Sequence, residues 1–255
     1  MVAKTGWGLL GFLLCAPLAT ATQAKSASVT PGPIVAPAPQ PAVVAVRSPG
    51  SADLDPSNDF EVAPPDIIEN CEALLKEAGV QFKTAELPVH KQKKNTFDCG
   101  AAQAVQYRRG PGEIRYSSSP ILSCPMALGL ARFERVIQEE AQRAFASRVR
   151  RIVHVGSYAC REMARYPGWV SEHSYANALD IKEFELQNGR TITVLRHYDS
   201  TRKSDTAARE FLHTLLHRAY RDNIFSVALG PPFDALHRDH FHLDEARYRV
   251  DGTGP

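Results

Sequence analysis

Histidine is concentrated in the last third of the chain. Seven of the nine histidines lie between His173 and His242, and three of them, His237, His240 and His242, fall within six residues. Neutral imidazole is the commonest zinc ligand, and a catalytic zinc site combines three protein ligands with one open position. Because side chains alternate along a strand, His240 and His242 would point to the same face, with His237 supplied by the preceding turn. The pattern predicts a zinc site.

A second polar element lies about 65 residues upstream of this cluster. His173 stands in the run Ser171-Glu172-His173, and Asp180 follows seven residues later, where a strand is predicted to begin. Together with the distant His-x-His pair, these residues supply a set of two histidines and one aspartate for a single Zn²⁺ ion. Asp244, beyond His242, could hydrogen-bond a ligand histidine or face solvent, and the sequence leaves this open.

Regular elements that could position these residues are predicted from residue 65 onward. Apolar residues at steps of three and four predict a long helix over Met126–Arg148, and an Asn-Gly turn joins two predicted strands into a hairpin. Helices on an antiparallel sheet, the α+β class, fit this order best. The remaining predictions are helices over 66–75 and Ser204–Arg221, strands over Ile152–Tyr158, Phe225–Leu229 and Phe241–Leu243, and hairpin strands over Leu179–Leu186 and Thr191–His197.

Five short segments carry a resemblance to known proteins. They are Leu122-Ser123-Cys124-Pro125, Gly156-Ser157-Tyr158-Ala159-Cys160-Arg161, Ser171-Glu172-His173, Ala176-Asn177-Ala178-Leu179-Asp180 and His240-Phe241-His242-Leu243-Asp244. These segments resemble the bacterial extensin-like C-terminal domain family. The pattern of His173, Asp180 and the His-x-His pair also resembles the zinc metallopeptidase superfamily of lysostaphin-type endopeptidases, D-Ala-D-Ala peptidases and the hedgehog signalling domain.

The resemblance implies a role for each residue of the predicted site. His173, Asp180 and His242 match the three zinc ligands of the superfamily. His240 matches its non-ligand histidine, which faces the substrate. The run of His237, His240 and His242 is similar to that of the penicillin-insensitive murein endopeptidases, which implies catalytic roles for His237 and His240.

Two further positions bear on the comparison with the D-Ala-D-Ala branch of the superfamily. Arg161 loosely matches the arginine with which that branch holds its substrate. The glutamate base of that branch is missing before His242, where Asp239 is the nearest acid, so the general base stays open. Ala176 also differs, because many members of the superfamily have glycine there.

The function implied by the resemblance is that of a zinc-dependent peptidoglycan hydrolase. It would cleave peptide crosslinks or stems by the DD- or LD-endopeptidase type of reaction, with Zn²⁺ activating water. Two other classes remain open: a zinc-containing wall-binding or signalling module without useful turnover, and a structural domain whose histidines bind no metal. The expected partners are the peptide stems of peptidoglycan, and we expect a monomer.

The composition excludes some other classes of protein. The chain has 255 residues, with 30 basic and 28 acidic side chains and a formal charge of +2. A dedicated nucleic-acid-binding domain is usually visibly basic, so nucleic acid is not an expected partner. No apolar run reaches the roughly 18 residues that a membrane-spanning helix needs, so no stable span is expected.

The N-terminal quarter of the chain is predicted to serve export rather than folding. Residues 1–24 combine a lysine, a short apolar stretch and small residues, as in a secretory signal peptide, although a retained signal anchor is the alternative. Residues 25–64 are rich in proline and alanine and predict an extended linker. The folded domain is expected over 65–255, and the expected location is the periplasm.

Four cysteines, Cys71, Cys99, Cys124 and Cys160, follow the predicted signal peptide. An even number of cysteines in an exported protein predicts two disulfides. Three pairings are possible, and we expect sequence neighbours to pair, as Cys71–Cys99 and Cys124–Cys160. A zinc site of four cysteines is disfavoured because no CxxC spacing is present.

Overall fold

The computed structural model describes residues 63–91 and 97–254. The predicted signal peptide, 1–24, and all but the end of the predicted linker, 25–64, lie outside these residues and stay predictions. Within the described ranges no helix combines the length and the apolarity needed to cross a membrane.

The described residues form four α-helices and fourteen strands, of which seven make the main sheet. The helices are α1 (Cys71–Glu77), α2 (Cys124–Phe145), α3 (Val194–His197) and α4 (Thr206–Arg221). The strands are β1 (Gln81–Ala85), β2 (His90–Lys91), β3 (Asp98–Cys99), β4 (Ala104–Arg109), β5 (Arg115–Tyr116), β6 (Ile121–Ser123), β7 (Val149–Gly156), β8 (Glu162–Met163), β9 (Tyr166–Val170), β10 (Ala178–Leu186), β11 (Thr191–Thr193), β12 (Val227–Leu229), β13 (Phe241–Asp244) and β14 (Val250–Gly252).

The main sheet has the strand order β14-β12-β13-β10-β7-β5, and β11 also pairs with β10. Its central pairs are antiparallel, whereas the outer pairs β12–β14 and β5–β7 are parallel. A smaller antiparallel sheet joins β1, β4 and β6, and β8 and β9 form a separate two-stranded ribbon. Helices accompany a mainly antiparallel sheet, which confirms the predicted α+β class.

The helix α2 supplies much of the core. Its predicted apolar stripe is buried at Leu130, Phe133 and Ile137, where it packs in one cluster with α4 and the main sheet. The helix begins where the Ser123 side chain accepts a hydrogen bond from the Met126 amide, as an N-cap residue does. It ends at Phe145, three residues before the predicted end.

The burial pattern of two central strands decides which face of the sheet carries chemistry. Leu179 and Ile181 on β10, and Phe241 and Leu243 on β13, all lie in the hydrophobic core. Because side chains alternate along a strand, the intervening residues must project from the opposite face. That face receives the polar residues of the predicted metal site.

Two element predictions differ from the structure for local reasons. The first helix begins at Cys71 rather than residue 66, because the amide and carbonyl of Ile68 bond the side chain of Gln103 and hold this segment out of the helix. The second hairpin strand ends at Thr193 rather than at His197. The Thr193 hydroxyl accepts a hydrogen bond from the Arg196 amide and begins the short helix α3.

The expected pairing of neighbouring cysteines is wrong. Two disulfides are present, but they join Cys71 to Cys124 and Cys99 to Cys160. The first lies where the beginnings of α1 and α2 pack together. The second joins β3 to the segment after β7, next to a backbone hydrogen bond from Gly100 to Ser174. Tertiary packing, rather than closeness in sequence, therefore selects the partners.

Candidate metal centre

The site is built on one row of residues that crosses the main sheet. Asp180 on β10 lies directly opposite Gly156 on β7 and His242 on β13, and His242 lies opposite Leu229 on β12. Residues directly opposite each other share a face and have Cβ atoms about 5 Å apart. The register of the sheet therefore brings the predicted ligands Asp180 and His242 together.

Three predicted zinc ligands meet on this face. One ligand atom from each of His173, Asp180 and His242 lies within 4.8 Å of the others. Asp180 Oδ2 is 3.1 Å from His173 Nε2, and Asp180 Oδ1 is 2.9 Å from His242 Nδ1. Burial opposes ionisation of Asp180, but the two neighbouring histidines outweigh it and hold its pKa well below the usual range. The carboxylate is thus ready to bind a cation.

His173 faces Asp180 through an unsatisfied nitrogen. The residue lies in the 3₁₀ turn Glu172–Tyr175, and its Nδ1 donates a hydrogen bond to the Ser157 carbonyl at 2.6 Å. In the neutral ring this leaves a lone pair on Nε2, which is buried and makes no hydrogen bond. In that neutral form Nε2 and the nearby Asp180 oxygen are both acceptors, and either a proton or a metal ion between them makes the contact favourable.

His242 is oriented from both sides by carboxylates. Its Nδ1 is 2.9 Å from Asp180, and its Nε2 is 2.9 Å from Asp244 Oδ2. Burial works against the charged ring, but these hydrogen bonds outweigh burial and raise the pKa of His242 to about 10. Of the two alternatives for Asp244, the structure shows the first: it is buried and bonds His242, a predicted ligand. This is the usual way in which a protein orients such a ligand.

Gly156 leaves the space that the ligands occupy. A Cβ atom at this position would lie 2.4 Å from Asp180 Oδ2 and 3.2 Å from His173 Cε1. Such a side chain would collide with the carboxylate. The site fits a zinc ion, since two imidazoles and one carboxylate are an established zinc ligand set. The Nε2 atom of His173 without a hydrogen bond and the absence of a side chain at Gly156 support this assignment.

A buried hydrogen-bond network fixes the loop between His173 and Asp180. The Asn177 amide donates to Glu172 Oε2 at 2.8 Å and to the Glu245 carbonyl, and its Oδ1 accepts from the Ser123 hydroxyl. Burial and the nearby Asp244 carboxylate raise the pKa of Glu172 to about 8. Ala176 adopts a left-handed conformation, with φ of 53°, which explains why glycine suits this position.

Two further histidines flank the ligands, and each is paired with an aspartate. His240 Nδ1 is 2.9 Å from Asp239, and its Nε2 is 3.9 Å from Asp180 Oδ1. His237 Nδ1 is 2.7 Å from Asp234 Oδ1, and its ring centre lies 5.8 Å from that of His242. Burial and the nearby His242 ring lower the pKa of His237. Histidines held by a carboxylate at Nδ1 present Nε2 as a proton acceptor.

Arg161 is the predicted substrate-binding residue and lies between β7 and β8. Its side chain is exposed and lines the same cavity, and its guanidinium donates to the Glu162 carbonyl at 3.2 Å. The backbone amide of Arg161 donates to the Ser174 hydroxyl, which ties it to the turn that carries His173. Arg165 also lines the cavity and lies 3.6 Å from Asp234.

Of the predicted site residues, all except His173 line one cavity of about 480 Å³. The structure thus brings together the six predicted catalytic and metal-binding residues in one region, with His173 buried behind Asp180. By contrast, His213 on α4 stacks on Tyr198, and His217 bonds Thr253. Both make structural contacts on α4, and neither lines the cavity.

Sequence reasoning missed the roles of Gly156 and Asp234 in this site. Gly156 was part of a matching segment, but only the pairing of β7 with β10 explains why a side chain is excluded there. Asp234 precedes His237 by three residues, so its spacing before the histidine cluster was the available signal. Its Oδ1 accepts hydrogen bonds from the amides of Leu236 and His237, as well as from the His237 ring.

The protein-family model of the extensin-like protein C-terminus matches residues 69–253 of this chain. This range includes every residue of the site. The chain belongs to this family. No curated protein and no solved structure gives a significant match.

Proposed function

We propose that this protein is a zinc-dependent peptidoglycan hydrolase of the periplasm, related to the lysostaphin, D-Ala-D-Ala peptidase and hedgehog-type superfamily. The observation that carries the proposal is the convergence of His173, Asp180 and His242, of which Asp180 and His242 line a cavity that two aspartate-paired histidines also line. Ligands for a metal and groups that move protons stand together there, as the hydrolysis of a peptide bond requires.

His173, Asp180 and His242 would hold the zinc ion. The chemistry it supplies when bound is Lewis acidity, which polarises a carbonyl group and makes water more acidic. His240 is the nearer of the two flanking histidines to Asp180, and its free nitrogen accepts a proton from the attacking water. His237 stands beside it, with a ring-centre distance of 5.3 Å, takes this proton from His240 at its free nitrogen and delivers it to the leaving amine.

The charge at the edge of the cavity supports an anionic substrate. Arg161 and Arg165 both line the cavity with exposed side chains. An arginine fork binds a carboxylate through two parallel hydrogen bonds. Peptide stems of peptidoglycan carry free carboxylates, so Arg161 would orient a stem with its peptide bond near the ligands.

The proposal is tested with purified protein and purified sacculi. One equivalent of zinc and release of soluble muropeptides are expected, with release stopped by a chelator and restored by zinc. His242→Ala should lose the zinc and the activity, whereas His90→Ala, which changes an exposed histidine outside the cavity, should keep both. Release of muropeptides by His242→Ala at the wild-type rate would contradict the proposal. Zinc binding without release would favour the alternative of a zinc-containing wall-binding module.

A further inference from the structure

We infer that the cavity contains an apolar subsite next to the metal ligands, and that it takes an aliphatic segment of the substrate beside the scissile bond. This inference rests on the proposed function and adds the chemical class of the group that the substrate must present there. The subsite is formed by β12, β14 and the segment that follows β12.

The subsite continues the sheet face that carries the ligands. Leu229 on β12 is the direct partner of His242, so its side chain projects from the same face. Val227, two residues earlier, shares this face and pairs with Val250 on β14. This face of the sheet therefore carries predicted ligands on β10 and β13 and aliphatic side chains on β12 and β14. The change falls between β13 and β12, which are one strand spacing, about 5 Å, apart.

These apolar residues form a cluster that is separate from the core. Val227, Leu229 and Ala246 are buried together, and Phe233 and Val250 pack against them. None of these belongs to the large cluster between the sheet and its helices. The cluster is closely packed against the backbone of β14. A Cβ atom on Gly252 would lie 2.6 Å from Leu229 Cδ2 and 3.0 Å from Phe233 Cδ2.

The same cluster opens into the cavity. Val227, Leu229, Phe233 and Val250 all line it, and Leu236 extends the apolar wall with 41% of its surface exposed. Phe233, Leu236 and Val250 keep part of their surface accessible in this concave site, whereas Val227 and Leu229 are almost fully buried. Ligand pockets typically combine a largely hydrophobic lining with a few polar groups. An aliphatic group of the substrate that packs against this wall would remove the accessible apolar surface of the wall from water.

The arrangement also fixes the direction of the substrate. Arg161 follows β7 and is tied to the turn that carries His173, whereas the apolar wall lies beyond His242 on β12 and β14. A substrate that spans the ligands would thus present a carboxylate on one side of the scissile bond and an aliphatic segment on the other. In a wall peptide, the methylene chain of the stem's diamino acid is the group with this chemistry.

The test uses a series of hydroxamates, which bind zinc through a constant head group. Acetohydroxamate, butyrohydroxamate and hexanohydroxamate are titrated into the zinc-loaded protein by calorimetry, and methyl NMR shifts of Leu229, Leu236 and Val250 are followed. Each buried methylene should tighten binding about fourfold. The methyl shifts should grow with chain length. Equal affinities along the series, with no methyl shifts, would overturn the subsite and leave the metal site standing.

Variants of two exposed leucines make the test specific. Leu236→Ser, which removes part of the apolar wall, should reduce the gain in affinity per methylene. Leu195→Ser changes a leucine of α3 that is 62% exposed and lies outside the cavity, and it should leave the whole series unchanged. A failure of acetohydroxamate to bind would count against the proposed metal hydrolase. Methyl shifts caused by hexanohydroxamate would still support the apolar subsite in that case, and their absence would overturn it.

Discussion

Asp180 Oδ1 and His242 Nδ1 lie 2.9 Å apart although the two residues are separated by 62 positions in the chain. They are direct partners on the antiparallel strands β10 and β13. The backbone ladder, rather than the side chains, therefore determines how far apart the two ligands stand. The centre is largely organised before a metal ion binds.

Zinc affinity should depend steeply on pH. His242, whose pKa the carboxylates of Asp180 and Asp244 raise to about 10, must lose a proton to bind zinc, whereas Asp180, whose pKa is well below its usual range, is already ionised. Below the pKa of His242 the competent form falls tenfold for each pH unit, so affinity should weaken about tenfold per unit from pH 8 to pH 6. Competition with a chromophoric chelator at three pH values measures this slope. Equal affinities at pH 6 and pH 8 would contradict the role of His242.

Gly156→Ala should disrupt the centre without unfolding the sheet. The added methyl would lie 2.4 Å from Asp180 Oδ2, so the carboxylate must move away from His173. We expect zinc affinity to fall by about 10- to 100-fold, as when a metal ligand loses its orientation. Val155→Ala, at the exposed neighbouring position of β7, is the control and should bind zinc normally. Normal affinity in Gly156→Ala would show that the carboxylate can shift freely.

Asp234 should act on turnover through His237. In Asp234→Ser the hydroxyl can still cap the turn, but the carboxylate no longer holds the His237 ring. We expect kcat to fall by about 10²-fold with unchanged zinc content. Asp234→Asn retains an oxygen that accepts the same hydrogen bonds, so its kcat should lie between those of wild type and Asp234→Ser. The protonated ring nitrogen of His237, observed by ¹⁵N NMR, should change only in Asp234→Ser.

The control for this series is Asp205→Asn, which alters a carboxylate that bonds Ser200 and Ser204 outside the cavity. Its kcat should equal that of wild type. A wild-type kcat in both Asp234 variants would show that Asp234 and its contact with His237 do not contribute to the reaction.

Glu134 should make the folded domain less stable as the pH rises. Burial raises its pKa to about 7, although Tyr107, Tyr116 and Gly112 donate hydrogen bonds that oppose the shift. The folded state therefore holds a proton that the unfolded state loses near pH 4.5. The associated stability, on the order of 3 kcal/mol, is present below pH 4.5 and is lost as the pH rises through 7.

Urea unfolding at pH 5 and pH 8 tests this expectation. Glu134→Gln cannot ionise, so its free energy of unfolding should fall less between the two pH values than that of wild type. The buried Glu172 and Glu245, each with a pKa raised to about 8, should leave part of the decrease in the variant. Glu139→Gln, on the exposed side of the same helix, should behave as wild type. Parallel pH profiles for wild type and Glu134→Gln would refute the assignment.

Local patterns predicted the elements that carry the site. The apolar stripe of α2 and the alternation of buried and polar residues around Asp180 and His242 were predictable, because the period of a hydrophobic pattern is visible within a short stretch of sequence. The α+β class followed from the order of these elements. What could not be read was pairing over long distances, and the cysteine partners show this most clearly. Cys71 meets Cys124 because α1 and α2 pack together, and no spacing in the sequence records that contact.

The same limit explains the residues that were missed. The collision that excludes a side chain at Gly156 exists only because β7 pairs with β10. Leu229 carries no signal of function in an apolar run, yet the pairing of β12 with β13 makes it the neighbour of His242. The ligands were identifiable from their residue types, whereas their surroundings depend on strand order.

The cross-strand pairing of Asp180 with His242 makes the site tolerant of some changes in length and intolerant of others. Insertions in the connections that join the paired strands leave the ladder intact, and the ligands keep their separation. A one-residue shift in the register of β13 against β10 would instead turn the His242 imidazole into the core and Phe241 toward the cavity. In homologous chains, insertions and deletions should therefore occur in the connections between these strands and be absent within the strands.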